Sequence, residues 1–241
     1  MRYVKAIIAY DGGYFFGFQK QKSTPQTVTH KIEEALKSLN IDSSIVGSGR
    51  TDAGVHATGQ IINFSIPHYW KDLNKLQREL NHKLEHIYIK KVTLVDMDFH
   101  SRFSAKRRIY RYVFKQKKPS IFEENYISYY PNFSSNKIEK ALKLFEGEKD
   151  FKFFHKTGSP THTTIREVYK TRYKKRGDYH FIYFEANGFL RAQVRMMVEI
   201  VMLYANNKLT LEELQEQIDG NKRYTNALAS PQGLYLARIL Y

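Results

Sequence analysis

A chain of 241 residues can form one large domain or two small ones. Hydrophobic residues make up 42% and charged residues 26%, and no run approaches the ~18 apolar residues that a membrane span requires. The chain therefore reads as soluble and globular with no membrane partner, and the absence of cysteine excludes disulfides, thiolate zinc sites and cysteine nucleophiles.

A cytoplasmic location fits that cysteine count. Thirty-nine Lys plus Arg against 24 Asp plus Glu leave a formal charge of +15, with a pI near 9.7, and an excess of this size favours polyanions. Eighteen Tyr and sixteen Phe accompany it. Rings on a basic surface suit unpaired bases, which stack while phosphates meet cations.

Residues 2–10 alternate charged and apolar positions, unlike the apolar block of a secretory signal, and predict a first strand. Asp11-Gly12-Gly13 then supplies a turn. Ser23-Thr24-Pro25 reads as a helix start, followed by Val28, Ile32, Ala35, Leu36 and Leu39 at helical spacing. Strands are expected at 43–48 and 59–66, then a short helix with Leu73, Leu76 and Leu80 on one stripe, then a strand near 86–95.

Alternation from Arg107 to Lys115 sets Ile109, Arg111 and Val113 on one strand face and Tyr110, Tyr112 and Phe114 on the other. Beyond it come a helix bearing Ile138, Ala141, Leu142 and Phe145, and strands near 165–175 and 179–187. Helices at 189–206 and 210–218 and a last strand at 234–240 complete the pattern. Lys115 to Asn136 and His155 to Thr164 read as loops. No repeat of fixed period and no flexible linker is evident, and the halves are divided at residue 104, giving 1–104 and 105–241.

The segment from Val46 to Gln60 holds four glycines, at 47, 49, 54 and 59, between two apolar runs, which implies turns and close backbone approach. It fails the dinucleotide fingerprint, because Gly54 leads into a strand. It also fails the P-loop pattern, because it has no lysine. Asp52, flanked by Arg50 and Gly54, is compatible with an Asx-type turn residue paired with Arg50. His82 and His86 stand four apart on a possible helix, a metal-ligand spacing, but Glu85 is misplaced for the metalloprotease pattern and no third ligand is apparent. They read as surface residues. Lys106-Arg107-Arg108 and Lys174-Lys175-Arg176 read as solvated clusters suited to phosphate.

The string Gly49-Arg50-Thr51-Asp52-Ala53-Gly54-Val55-His56 resembles the active-site motif of the tRNA pseudouridine synthase A family. Further resemblances follow in family order: Tyr10-Asp11-Gly12 and Gly17-Phe18-Gln19, the run Phe99 to Ala105, Tyr110-Arg111-Tyr112, Phe189-Leu190 with Val194-Arg195, and Gly233 to Leu236. The resemblance implies an α+β fold of two mixed halves, with largely antiparallel sheets joined into one central sheet, helices outside and a cleft between. The first half would carry the catalytic aspartate loop, and the second the stacking tyrosine and an ion-pair arginine.

It further implies isomerisation of uridine at positions 38, 39 and 40 of the tRNA anticodon stem-loop, by a homodimer needing neither metal nor cofactor. Asp52 matches the catalytic aspartate, able to serve as nucleophile or base. Tyr110 matches the tyrosine that stacks on the target base. Arg195 matches the arginine that holds the aspartate ionised, and Arg50 an arginine that fills the space left by the extruded nucleotide. The chain departs from the family at Phe18, at Arg191-Ala192-Gln193 and at Met196-Met197-Val198-Glu199, changes that bear on helix packing or a dimer contact. A non-catalytic RNA-binding protein on the same scaffold is the alternative. A nucleoside hydrolase or glycosidase fits less well, because most such enzymes position two carboxylates.

Overall fold

The computed structural model describes residues 1–158 and 161–241. Its elements are, in chain order, β1 (Arg2–Tyr10), α1 (Val28–Ser38), β2 (Val46–Gly47), β3 (His56–Ile66), α2 (Leu73–Lys83), β4 (Ile87–Val95) and β5 (Arg107–Lys115). There follow β6 (Ser128–Tyr129), α3 (Ser135–Lys143), β7 (Gly147–Asp150), β8 (Ile165–Arg176), β9 (Tyr179–Ala186), α4 (Gln193–Ala205), α5 (Leu211–Ile218) and β10 (Leu234–Leu240). The expected α+β class is found in each of two compact units, Met1–Lys106 with Leu236–Tyr241, and Arg107–Tyr235. The last six residues thus pack with the first unit, a return that a division at residue 104 leaves in the second half.

In the first unit the strand order is β4-β1-β3-β10, with β2 on β3. β1 runs antiparallel to β3 from Arg2↔Ile66 to Ile8↔Gln60, and a bulge before Tyr10↔Ala57 re-aims the end of the strand. The alternation of β1 buries Val4, Ala6 and Ile8 completely, while β3 is buried on both faces through most of its length. α1 lays Val28, Ile32, Ala35 and Leu36 into the core, and α2 does so with Leu76 and Leu80. Thr27 and Asp72 cap the two helices, accepting from the amides of His30 and Lys75 at 3.3 and 3.0 Å.

In the second unit the order is β5-β9-β8-β7, with β6 parallel to β5. On one face of this sheet Tyr112, Phe114, Ile182 and Phe184 are fully buried, and α3 packs there, its Ser135 hydroxyl 2.7 Å from that of Tyr173. α4 is enclosed on nearly all sides, with Val194, Met196, Met197, Val198, Ile200 and Val201 buried. Each such side chain stabilises the fold by roughly 1.5–3 kcal/mol. The departing run 196–199 is accordingly core packing: three of its residues are buried, and Glu199 accepts from the Tyr130 hydroxyl at 2.9 Å.

Several boundaries differ from the sequence expectations. α1 begins at Val28 rather than at Ser23-Thr24-Pro25, because the amides of Val28 and Thr29 donate to the carbonyls of Gly17 and Phe18, which only the folded chain brings close. The strand expected at 43–48 shrinks to Val46–Gly47, since the Ile45 amide donates to the Glu33 carboxylate and Ser43 Oγ bonds Ser65. The helix expected from 189 starts at Gln193, after Ala192 adopts φ 62° and Gln193 Oε1 accepts from the Leu190 amide. The expected loop 115–136 contains β6, and the expected loop 155–164 lies in part outside the described residues.

Candidate active site

Arg50 and Asp52 lie on one loop of the first unit, between β2 and β3, with Arg50 exposed and Asp52 half-buried. The loop is fixed from beneath by two buried polar side chains. Ser48 Oγ donates to Gln60 Oε1 at 2.5 Å, and Gln60 Nε2 donates to the Gly49 carbonyl at 2.7 Å. The Ser48 amide bonds the Ile61 carbonyl at 2.8 Å. A glutamine fully buried on β3 thus holds the entry to the loop, satisfying groups that would be costly to bury alone.

The end of β1 and the segment after it hold the other side. Tyr10 Oη lies 2.8 Å from Thr51 Oγ1, one residue before Asp52. The Phe18 amide donates to the Thr51 carbonyl at 3.1 Å, and the Val55 amide donates to the carbonyl of Asp52 itself at 3.2 Å, closing a turn. The turn is completed by Gly54 at φ 77°, in the left-handed region that glycine enters without cost. A Cβ on Gly12 would lie 2.1 Å from the Val55 carbonyl oxygen, so only glycine permits this approach.

His56, 2% exposed, completes the clamp. The Gly12 amide donates to its Nδ1 at 3.0 Å, and Asp11 Oδ1 lies 3.2 Å from the same nitrogen. The ring is thus held between the Gly12 backbone and the Asp11 carboxylate.

Tyr10, Asp11, Gly12, Gln60 and His56 were not singled out as site residues from the sequence. Their signal was the Tyr10-Asp11-Gly12 string, whose partner lies forty-four residues away across the fold.

Tyr110 and Arg195 belong to the second unit. Tyr110 lies on β5 opposite Phe184, is 8% exposed, and meets Phe189 edge-on with ring centroids 5.2 Å apart. Arg195 is half-buried on α4, where its Nε donates to the Ala229 carbonyl at 2.7 Å and its own carbonyl accepts from the Ala229 amide at 3.1 Å. Both contacts fix the direction in which the guanidinium leaves the helix. Nearby polar groups are held neutral: burial pushes the Tyr112 hydroxyl up to about 12. Tyr130 is raised well above the usual tyrosine value, by burial first and then by Tyr112 and Glu199.

His86 leaves α2 altogether. It adopts φ 61° and stacks on Tyr14 with ring centroids 3.4 Å apart, so the His82–His86 spacing is not realised on a helix. No group of three or more His, Asp or Glu side chains able to hold a metal ion occurs among the described residues. No helix among them is long and apolar enough to cross a membrane.

The tRNA pseudouridine synthase family model matches residues 6–104 and 141–241. The tRNA pseudouridine synthase A of Campylobacter jejuni is 40% identical over 243 residues, covering 100% of both chains. That of Helicobacter hepaticus is also 40% identical over 243 residues, covering 98% of each. A chain of the solved Cbf5-Nop10-Gar1 complex aligns with TM-score 0.39 at 12% identity, over 83% of this chain and 44% of that one. On the full-length sequence matches, this chain belongs to the tRNA pseudouridine synthase family and is an isomerase of uridine in tRNA.

Proposed function

We propose that Asp52 is the catalytic residue, and that the enzyme acts on uridines 38, 39 and 40 of the anticodon stem-loop as a cytoplasmic homodimer. The reaction breaks the bond from ribose C1′ to base N1 and forms one from C1′ to C5. C5 gives up its proton and N1 gains one, so no atom is added and no electron is exchanged with a second reactant. A carboxylate serves this chemistry as nucleophile at C1′ or at C6, or as base on the ribose.

The observation that supports Asp52 is the anchoring of its loop. Hydrogen bonds reach Ser48, Gly49, Thr51 and the Asp52 carbonyl from three separate segments, and a reacting group held this way loses little orientation entropy on meeting its substrate.

Tyr110 is proposed to stack on the extruded base, and Arg195 to pair with Asp52 and keep it ionised. Arg50 would take the place of the flipped nucleotide, offsetting some of the few kcal/mol that extrusion costs. The test is pseudouridine formation in unmodified tRNA by the wild type and by Asp52→Asn. Loss of turnover with retained tRNA binding is expected, and equal modification by both proteins would sink the assignment and leave a non-catalytic RNA binder.

A further inference from the structure

α4 carries two charged side chains, Arg195 and Glu199, four residues apart and therefore on one face of the helix. The residues between them, Met196, Met197 and Val198, are buried. A carboxylate in such a setting is costly unless hydrogen bonds satisfy it. Glu199 also lies in the run where the chain departs from the family pattern, so the resemblance gives it no task.

Its partner is Tyr130, whose hydroxyl donates to Glu199 Oε2 at 2.9 Å. The Tyr130 hydroxyl also meets that of Tyr112, the ring centroids lying 6.5 Å apart. Tyr112, fully buried on β5, donates to Ser128 Oγ at 2.7 Å and lies 3.1 Å from the Ser230 carbonyl oxygen. A Cβ on Gly233 would lie 2.5 Å from Ser128 Oγ and 2.9 Å from Tyr112 Cζ, so the backbone closes tightly over this pair.

From Ser230 the contacts return to α4 in one step. Its neighbour Ala229 is fully buried, accepts from Arg195 Nε at 2.7 Å and donates its amide to the Arg195 carbonyl at 3.1 Å. A closed ring results: Glu199, two phenols, the 229–230 backbone, and Arg195 one turn earlier on the helix. Both charged ends act on its middle. Burial is the largest cause that raises the Tyr112 hydroxyl, and of the two charges Glu199 raises it while Arg195 lowers it.

We propose that Tyr112, Tyr130 and Glu199 are positioning residues for Arg195, a role that rests on the reading of Arg195 as a group acting in the reaction. They hold the Ala229–Ser230 backbone, whose carbonyl takes the Nε proton and so sets the plane of the guanidinium. That fixed plane is what an arginine offers and a lysine lacks. A network that served the fold alone would lower stability and leave the rate of the folded enzyme untouched. A positioning network lowers the rate at saturating tRNA and leaves affinity alone, because the reacting groups meet in the wrong geometry.

The test is single-turnover pseudouridine formation over a range of tRNA concentrations, at a temperature where every variant is folded. For Tyr112→Phe and Glu199→Leu we expect the limiting rate to fall roughly ten- to hundredfold, with half-saturation unchanged. Glu199→Gln, which keeps an acceptor for the Tyr130 hydroxyl, should restore the rate to within about threefold of wild type. If Glu199→Leu does not fold, Tyr130→Phe breaks the same bond and keeps the ring. Tyr173→Phe is the matched control, since its hydroxyl bonds Ser135 and His180 instead, and its rate should stay at the wild-type value. Arg195→Lys loses the Nε–Ala229 bond, so adding Tyr112→Phe to it should slow the enzyme no further.

Wild-type rates for Tyr112→Phe and Glu199→Leu, an equal fall in Tyr173→Phe, or a full further loss in the Arg195→Lys background would each overturn the proposal. Arg195→Gln separates the two levels. A wild-type rate in that variant removes the reading of Arg195 and the proposal with it, whereas a slow Arg195→Gln beside an unaffected Tyr112→Phe removes the proposal alone.

Discussion

Gly12→Ala is the sharpest probe of how the Asp52 loop is held. Gly12 is not at positive φ, so alanine is acceptable to the local backbone, and the obstacle is entirely tertiary. The added Cβ would lie 2.1 Å from the Val55 carbonyl oxygen, 2.3 Å from its carbon and 2.8 Å from its nitrogen, all backbone atoms. Reaching an ordinary contact near 3.4 Å requires the two segments to separate by about 1.3 Å. Val55 cannot yield alone, because its amide closes the turn on the Asp52 carbonyl and Gly12 also bonds His56 next to it. Asp52 must move with it, and a misplacement of about 1 Å in a reacting group costs roughly 100-fold in rate.

The assay is single-turnover pseudouridine formation at saturating tRNA, with thermal unfolding recorded in parallel. Overpacking destabilises by about 1–3 kcal/mol, and each kcal/mol lowers Tm by about 2–4 °C in a chain of this size. At a temperature where both proteins are folded, the rate of Gly12→Ala should fall about 100-fold while tRNA affinity changes little. Gly49→Ala is the matched control, since its Cβ would meet nothing within 4 Å. A rate for Gly12→Ala within about threefold of wild type would refute the idea that the clamp sets Asp52's position.

Three further outcomes follow from the same geometry. Gln60→Leu strands the buried Ser48 hydroxyl and the Gly49 carbonyl, so chemical denaturation should show a loss of about 1–3 kcal/mol for each group left unpaired. Tyr112→Phe removes a buried hydroxyl that donates to Ser128 at 2.7 Å and lies 3.1 Å from the Ser230 carbonyl, and should cost about 1–3 kcal/mol with tRNA affinity unaltered. The Glu123 carboxyl is held down from 4.5 to about 2 by the Tyr179 hydroxyl, the Ser120 amide and Lys115. Its contribution is therefore complete above pH 4.5 and lost as pH falls toward about 2. Glu123→Gln should be less stable than wild type at neutral pH, with the gap closing across that window.

Elements whose pattern is imposed by their own residues were legible in the sequence. β1 and β5 alternate cleanly and coincide with the expected 2–10 and 107–115, α2 buries Leu76 and Leu80 of the expected leucine stripe, and α5 lies within the expected 210–218. What escaped was set by distant partners. The start of α1 depends on the carbonyls of Gly17 and Phe18, and the loss of strand around Ser43 on the Glu33 carboxylate. β7 is four polar residues, Gly-Glu-Lys-Asp, whose only reason to be a strand is its pairing with β8.

The candidate site divides in the same way. Asp52 and its neighbours form a contiguous string that can be matched by eye, so the loop stands out as the candidate. The residues that hold it, Tyr10, Gly12, Gln60 and His56, serve through tertiary contacts that composition and spacing do not encode. Gly12 in particular reads as an ordinary turn glycine, and its close approach to Val55 exists only in the folded chain.

The central claim is that Asp52 makes pseudouridine in the anticodon arm, and mapping pseudouridines in cellular tRNA tests it most directly. Cells lacking this protein should lose the modification at positions 38, 39 and 40, regain it with the wild-type chain, and fail to regain it with Asp52→Asn expressed at the same level. Restoration by Asp52→Asn, or pseudouridine undiminished at those positions without the protein, would contradict the account.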